Sequence, residues 1–134
     1  MENKDITKAF VERTAKFGDD IIDLAMGIKA NHINRSIISQ LVRSGTSIGA
    51  NYCEAINACS KKDFRNKIFI CKKETQETKH WLRMLSRSNP ETKNKTREYW
   101  KECQEFLLIF QSIINTLNNK RWTPKNQNDK CLNT

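Results

Sequence analysis

The sequence predicts an all-α fold, an up-and-down antiparallel four-helix bundle, on three observations. Glycine and proline are scarce, four and two in 134 residues, whereas sheets and long loops need more turn residues. Apolar residues recur at spacings of three, four and seven in four successive stretches, the period of an amphipathic helix. Short polar segments separate the stretches, and short connections set consecutive helices side by side and antiparallel.

In the first stretch Ile6, Phe10, Phe17, Ile21, Leu24 and Ile28 form one face, and Glu12, Lys16, Asp19, Asp20 and Asp23 fill most of the rest. Lys29-Ala30-Asn31-His32 marks a break. The second helix is expected from Asn34 to Ala58, with Ile37, Leu41, Ile48, Tyr52 and Ala55 in line and Ile38 and Val42 widening the stripe. Its middle reads Ser44-Gly45-Thr46-Ser47-Ile48-Gly49-Ala50. Glycine inside a helix costs about 1 kcal/mol relative to alanine. Two glycines one turn apart therefore imply close approach of a neighbouring helix, with a local kink as the alternative.

Ser60-Lys61-Lys62-Asp63 resembles a capping box. The third helix follows, with the most regular line in the chain: Phe64, Ile68, Cys71, Thr75, Thr78, Leu82 and Leu85. A second stripe of Ile70, Glu77, Trp81 and Met84 runs beside it and must pack on another helix or another subunit. Asn89-Pro90-Glu91 is a strong helix start, with an Asn cap and proline in the first turn. The fourth helix aligns Tyr99, Cys103, Phe106, Phe110, Ile113 and Leu117, thickened by Leu107, Ile109 and Ile114. The pattern stops at Asn118. The chain thus divides into a bundle domain over 1–118 and a polar tail over 119–134, which is expected to be disordered.

Several function classes find no support. No apolar stretch approaches the roughly 20 residues of a membrane span. The opening MENKDITKAF has no apolar core of a secretory signal, so a cytoplasmic location and no membrane partner are expected. Five cysteines are an odd number without C-x-x-C spacing; Cys53, Cys71 and Cys103 are expected to be buried, as small hydrophobes. Glu77-Thr78-Lys79-His80 has the Glu-x-x-His spacing of di-iron bundles, but those need it on two helices with two further glutamates. Here it occurs once, and the only other histidine is His32. Neither a metal nor a cofactor is expected. No Ser/His/Asp or Cys/His set and no phosphate loop can be assembled. The expected catalytic set is empty, and the chain is expected not to be an enzyme.

Charge carries the strongest functional signal. The formal net charge is +9, and residues 59–89 hold nine basic against three acidic side chains. Lys61, Arg65, Lys72, Lys79 and Arg83 are expected on one broad solvent side opposite the core line. With Lys62, Lys120 and Arg121 they form a candidate surface for neutralising phosphates of RNA or DNA. The alternative is an ordinary solvated face. No aromatic platform of the single-strand-binding kind is recognisable. Trp81 and Trp100 flank the main lines, either as packing groups or at a subunit interface.

The run Gln40-Leu41-Val42-Arg43-Ser44-Gly45-Thr46-Ser47-Ile48-Gly49-Ala50-Asn51-Tyr52-Cys53-Glu54-Ala55 resembles the second-helix signature of the bacterial four-helix bundle family, the 23S rRNA intervening-sequence proteins. Ser60-Lys61-Lys62-Asp63-Phe64, Lys73-Glu74, Glu77-Thr78 and Trp81-Leu82 match its third-helix pattern. The resemblance spans about residues 10 to 117, and Gly45 and Tyr52 sit where other members vary. It implies a bundle that assembles into a ring-like homopentamer. Some relatives are encoded within 23S rRNA genes. The family is also similar to the accessory protein of diversity-generating retroelements, a basic pentamer that binds nucleic acid and a reverse transcriptase. The resemblance brings no catalytic residues. It implies a structural or subunit-contact role for Arg43, Ser44, Ser47, Asn51 and Glu54, and Ile70, Trp81 and Met84 are placed with that contact. The leading expectation is a non-enzymatic oligomer that binds RNA or DNA through a basic surface. The alternative is a protein-interaction scaffold.

Overall fold

The computed structural model describes residues 3–119. Four α-helices follow one another: α1 (Asn3–Met26), α2 (Arg35–Ile56), α3 (Lys61–Ser88) and α4 (Lys93–Asn118), with a 3-10 turn at Pro90–Thr92 before α4. Each helix packs on the next, α1 on α2, α2 on α3 and α3 on α4. Aromatic side chains close the ring between α1 and α4. Phe10 and Phe17 meet Phe106 edge-on at centroid distances of 5.6 and 5.3 Å, and Phe17 meets Tyr99 at 6.1 Å. Such pairs add stability beyond the area they bury. The bundle is the predicted one.

The α3 line is buried at all seven positions from Phe64 to Leu85. Its two threonines satisfy their hydroxyls within the helix: Thr75 donates to Cys71 O and Thr78 to Glu74 O, both at 2.7 Å. The lines on the other helices depart further from the expected ones. Ile6 is 52% exposed, because it falls near the end of the bundle on the flank towards α4. The gap between Phe10 and Phe17 is filled by buried Thr14. On α4 it is Ile114 that is fully packed, with Ile113 partly buried against the core. Cys71 and Cys103 are buried as expected, but Cys53 is exposed. It lies one residue past Tyr52 and so turns away from the core.

The small-residue run has the close-approach role. A Cβ on Gly45 would stand 3.1 Å from both Cγ atoms of Ile21. One on Gly49 would stand 3.3 Å from Thr14 Oγ1 and 3.4 Å from the Thr14 carbonyl. These contacts seat α1 directly on α2.

The caps differ in kind. Ser60 Oγ accepts from the Asp63 N–H at 3.0 Å, as the capping-box pattern predicts. Asn89 does not cap with its side chain. Its Oδ1 instead accepts from Asn34 Nδ2 at 3.1 Å and from Ser88 Oγ at 2.9 Å. Asn34 is fully buried; its Oδ1 accepts from the Asn31 N–H at 2.7 Å and its Nδ2 also donates to Lys29 O at 3.1 Å. A buried amide with all these partners costs nothing in desolvation that it does not regain. It ties the α1–α2 loop to the α3–α4 turn.

Candidate nucleic-acid interface

An α-helix turns about 100° per residue, so Lys61, Arg65, Lys72, Lys79 and Arg83 fall within about 40° of one line along α3. That line is not opposite the core. It lies roughly a quarter turn from it, along the seam with α4. The contacts fix the side: Lys72 Nζ donates to Gln111 Oε1 at 2.8 Å and Lys79 Nζ to Gln104 Oε1 at 2.7 Å. The offset follows from the step of about 100° itself, whereas the neighbour on that side comes only from the tertiary contacts. Lys62 falls further round, on the outer side with exposed Lys73 and Arg87. Lys120 and Arg121 lie outside the described residues.

The chemistry of the anchors matters more than their number. Both lysines are held by neutral amides. Among the described residues, no carboxylate oxygen lies within 4.0 Å of Lys61, Lys62, Arg65, Lys72, Lys79 or Arg83. The row therefore keeps its full charge. Two exposed aromatic rings interrupt it. Arg65 stands 5.0 Å from the centroid of Phe69, and Lys79 Nζ stands 4.2 Å from that of Trp100 on α4.

The acids of α3 are used on its other flank. Arg43 Nη1 donates to Glu74 Oε2 at 2.9 Å and Nη2 to Glu77, while Gln40 Oε1 accepts from Arg43 Nε at 2.9 Å. Lys67 donates to Glu54 at 3.0 Å. Buried Glu74 thus has its counter-charge, as a buried carboxylate requires. Ser44 and Thr78 are joined beneath by a 3.0 Å hydrogen bond. Asn51 turns back to Ser47 O at 2.8 Å. The second stripe runs along this same flank, with Trp81 partly buried and Ile70 37% exposed. Arg43, Glu54, Ile70, Trp81 and Met84 are thereby brought to one side of the α2–α3 pair. Of the six residues expected at a subunit contact, Arg43 and Glu54 hold α2 and α3 together, and Asn51 is bonded within its own helix.

Other features are less suited to a polyanion. A groove of about 590 Å³ between α1 and α4 is lined by Arg13, Lys16, Arg97 and Lys101 but equally by Asp20, Glu98, Glu102 and Glu105. Arg13 and Glu102 form a bidentate pair across it at 2.5 and 3.0 Å. Among the described residues, no three His, Cys, Asp or Glu side chains converge on a point where a metal could bind. Glu77 is taken by Arg43, and His80 stands edge-on to Trp81 at 4.8 Å. No helix among those residues is long and apolar enough to cross a membrane. The thiols of the core are inert: burial pushes Cys71 up to about 12 and Cys103 higher still.

The family model described as 23S rRNA-intervening sequence protein matches residues 8–112. The chain belongs to this family. A crystal structure of a protein from Bacteroides thetaiotaomicron, described as of unknown function and from the S23 ribosomal protein family, is 33% identical. The similarity covers 78% of this chain and 96% of that one, with a TM-score of 0.68. No curated protein matches the chain. The matched range contains the whole α3 row, the amides of α4 that anchor it and the Arg43 clasp, so the candidate interface is part of the shared domain and not an appendage to it.

Proposed function

We propose that this 23S rRNA-intervening sequence family member is a non-enzymatic, cytoplasmic, oligomeric protein that binds RNA or DNA through the α3 row. One observation supports this most: Lys72 and Lys79 are fixed on glutamine carbonyls, and among the described residues no carboxylate lies within 4.0 Å of either, or of Lys61, Lys62, Arg65 or Arg83. A solvated face built for stability alone interleaves opposite signs. A row without counter-ions releases condensed cations from a phosphate backbone when it binds. Lys61, Lys62, Arg65, Lys72, Lys79 and Arg83 contact phosphates, and Lys120 and Arg121, which lie outside the described residues, add two further cations to the same reading. Assembly as a homopentamer through the α2–α3 flank is implied by the family resemblance, and the exposure of Ile70 and the partial burial of Trp81 on that flank support it.

The test is binding of a fluorescent 20-nucleotide RNA and the matching DNA across a salt series, with light scattering on the same sample. Affinity should fall linearly on a log–log plot, with a slope of several units. Absence of binding at 50 mM salt would sink the proposal. A protein-interaction scaffold is the second reading. It is favoured by the apolar groove of about 290 Å³ between α1 and α2, lined by Val11, Ala15, Gly18, Ile22, Ala50 and Cys53. A stable oligomer that purifies without nucleic acid and ignores it at low salt would support that reading.

A further inference from the structure

The basic row also contains what a nucleobase needs. Trp100 is 37% exposed and Phe69 is 38% exposed, both in or beside a line of cations. In the free protein each ring has a cation resting near it, Lys79 Nζ at 4.2 Å and Arg65 Cζ at 5.0 Å. Lys79 is held from the other direction by Gln104, whose carbonyl it uses at 2.7 Å. The NH₂ group of Gln104 has no protein partner among the described residues, whereas that of Gln111 is spent on Asn115 at 3.0 Å. Ammonium, indole and free amide donor therefore stand together at one point of the α3–α4 seam. Those are the three functions that a phosphate, a base face and a base edge require.

We propose that Lys79, Trp100 and Gln104 form a nucleotide subsite that selects unpaired strands: a base stacks on Trp100 as Lys79 moves from the ring face to a phosphate, and Gln104 donates to the base edge. The proposal rests on the nucleic-acid reading above and narrows it to single strands, because a paired base has no free face to offer an indole. Phe69 with Arg65, ten residues away on α3 and about 15 Å along the axis, supplies a second ring further down the same row.

The experiment measures anisotropy of a 20-nucleotide oligouridylate and of its duplex with oligoadenylate at 50 mM salt. The proteins are the full chain, Trp100→Ala, Trp100→Phe and Gln104→Leu. Trp100→Ala should weaken the single strand about tenfold, the order expected for losing one base–aromatic stack, and change the duplex less than twofold. Trp100→Phe should restore most of the loss. Quenching of tryptophan fluorescence by oligouridylate, present in the full chain and reduced in Trp100→Phe, gives a readout independent of how well Trp100→Ala folds. Equal weakening of both substrates, or absence of quenching with binding intact, overturns the subsite and leaves the nucleic-acid reading standing. Binding of neither substrate to the wild-type chain overturns both.

Discussion

Gly45 of α2 lies directly beneath Ile21 of α1, so close that a single added carbon would stand 3.1 Å from both branches of the isoleucine. Ile21 is fully buried and has no room to withdraw. Gly45→Ala should therefore destabilise the bundle by about 1–3 kcal/mol, the usual range for overpacking, despite the better helix propensity of alanine. At Gly18 the same added carbon meets Thr46 at 3.6 Å, an ordinary contact. Gly18→Ala should stabilise by a few tenths to about 1 kcal/mol. Urea melts of the two variants check the opposed signs; equal signs would mean that the helices do not approach as described.

Asn34 and Asn89 give a second stability test. Asn34→Ala removes, from a fully buried position, the hydrogen bonds to Asn31, Lys29 and Asn89. The expected loss is about 2–4 kcal/mol. Hydrogen exchange should show both the α1–α2 loop and the α3–α4 turn opening more readily, since one side chain ties them.

Arg43→Met leaves the buried carboxylate of Glu74 without its counter-charge. Because the Arg43 side chain is 46% exposed, solvent moderates the loss to about 1–3 kcal/mol. Adding Glu74→Gln should recover part of it. No recovery in the double variant would show that Arg43 acts through packing alone.

High pH should weaken the fold. Burial pushes Cys71 up to about 12, Cys103 higher, and Tyr52 up to about 12. The unfolded thiols ionise near 9, so between pH 9 and the folded values the native state binds more protons and stability falls as pH rises. Each thiol should remove about 1.4 kcal/mol by pH 10. Urea midpoints at pH 8, 9 and 10 measure this, and the decline should shrink in Cys71→Ala relative to that variant's own value at pH 8.

Gln104→Glu and Gln111→Glu convert the anchors of Lys79 and Lys72 from amides to carboxylates. Folding stability should change little, since exposed ion pairs contribute at most about 1 kcal/mol. Nucleic-acid affinity should fall, and the salt slope should drop by about 1 for each cation neutralised. An unchanged slope would remove these two lysines from the interface.

The bundle was legible in the sequence because period and punctuation agree: the α3 line, the Ser60 cap and the glycine pair each needed only local spacing. The quarter-turn offset of the α3 cations from the core line was legible from spacing, but the helix that lies on that side was not. Lys72 and Lys79 are directed by Gln111 and Gln104, which are 39 and 25 residues away in the chain, and nothing in α3 alone names them. Trp100 was similarly hidden, since an indole on a helix flank reads the same whether it packs inward or stands beside a lysine. Asn89 had the spacing of a cap, but a distant amide, Asn34, claimed its side chain.

The flanks of α3 differ in a way that acts before any contact is made. Acids on the α2 side are matched by Arg43 and Lys67, while cations on the α4 side are left unmatched among the described residues. Across α3 the result is an asymmetry of charge, with the unmatched positive side at the α4 seam. On the nucleic-acid reading proposed above, the field of a polyanion would turn that side towards it, with the α3–α4 seam leading. Replacing glutamine by glutamate at 104 and 111 would shrink that asymmetry, so the association rate should fall with the affinity.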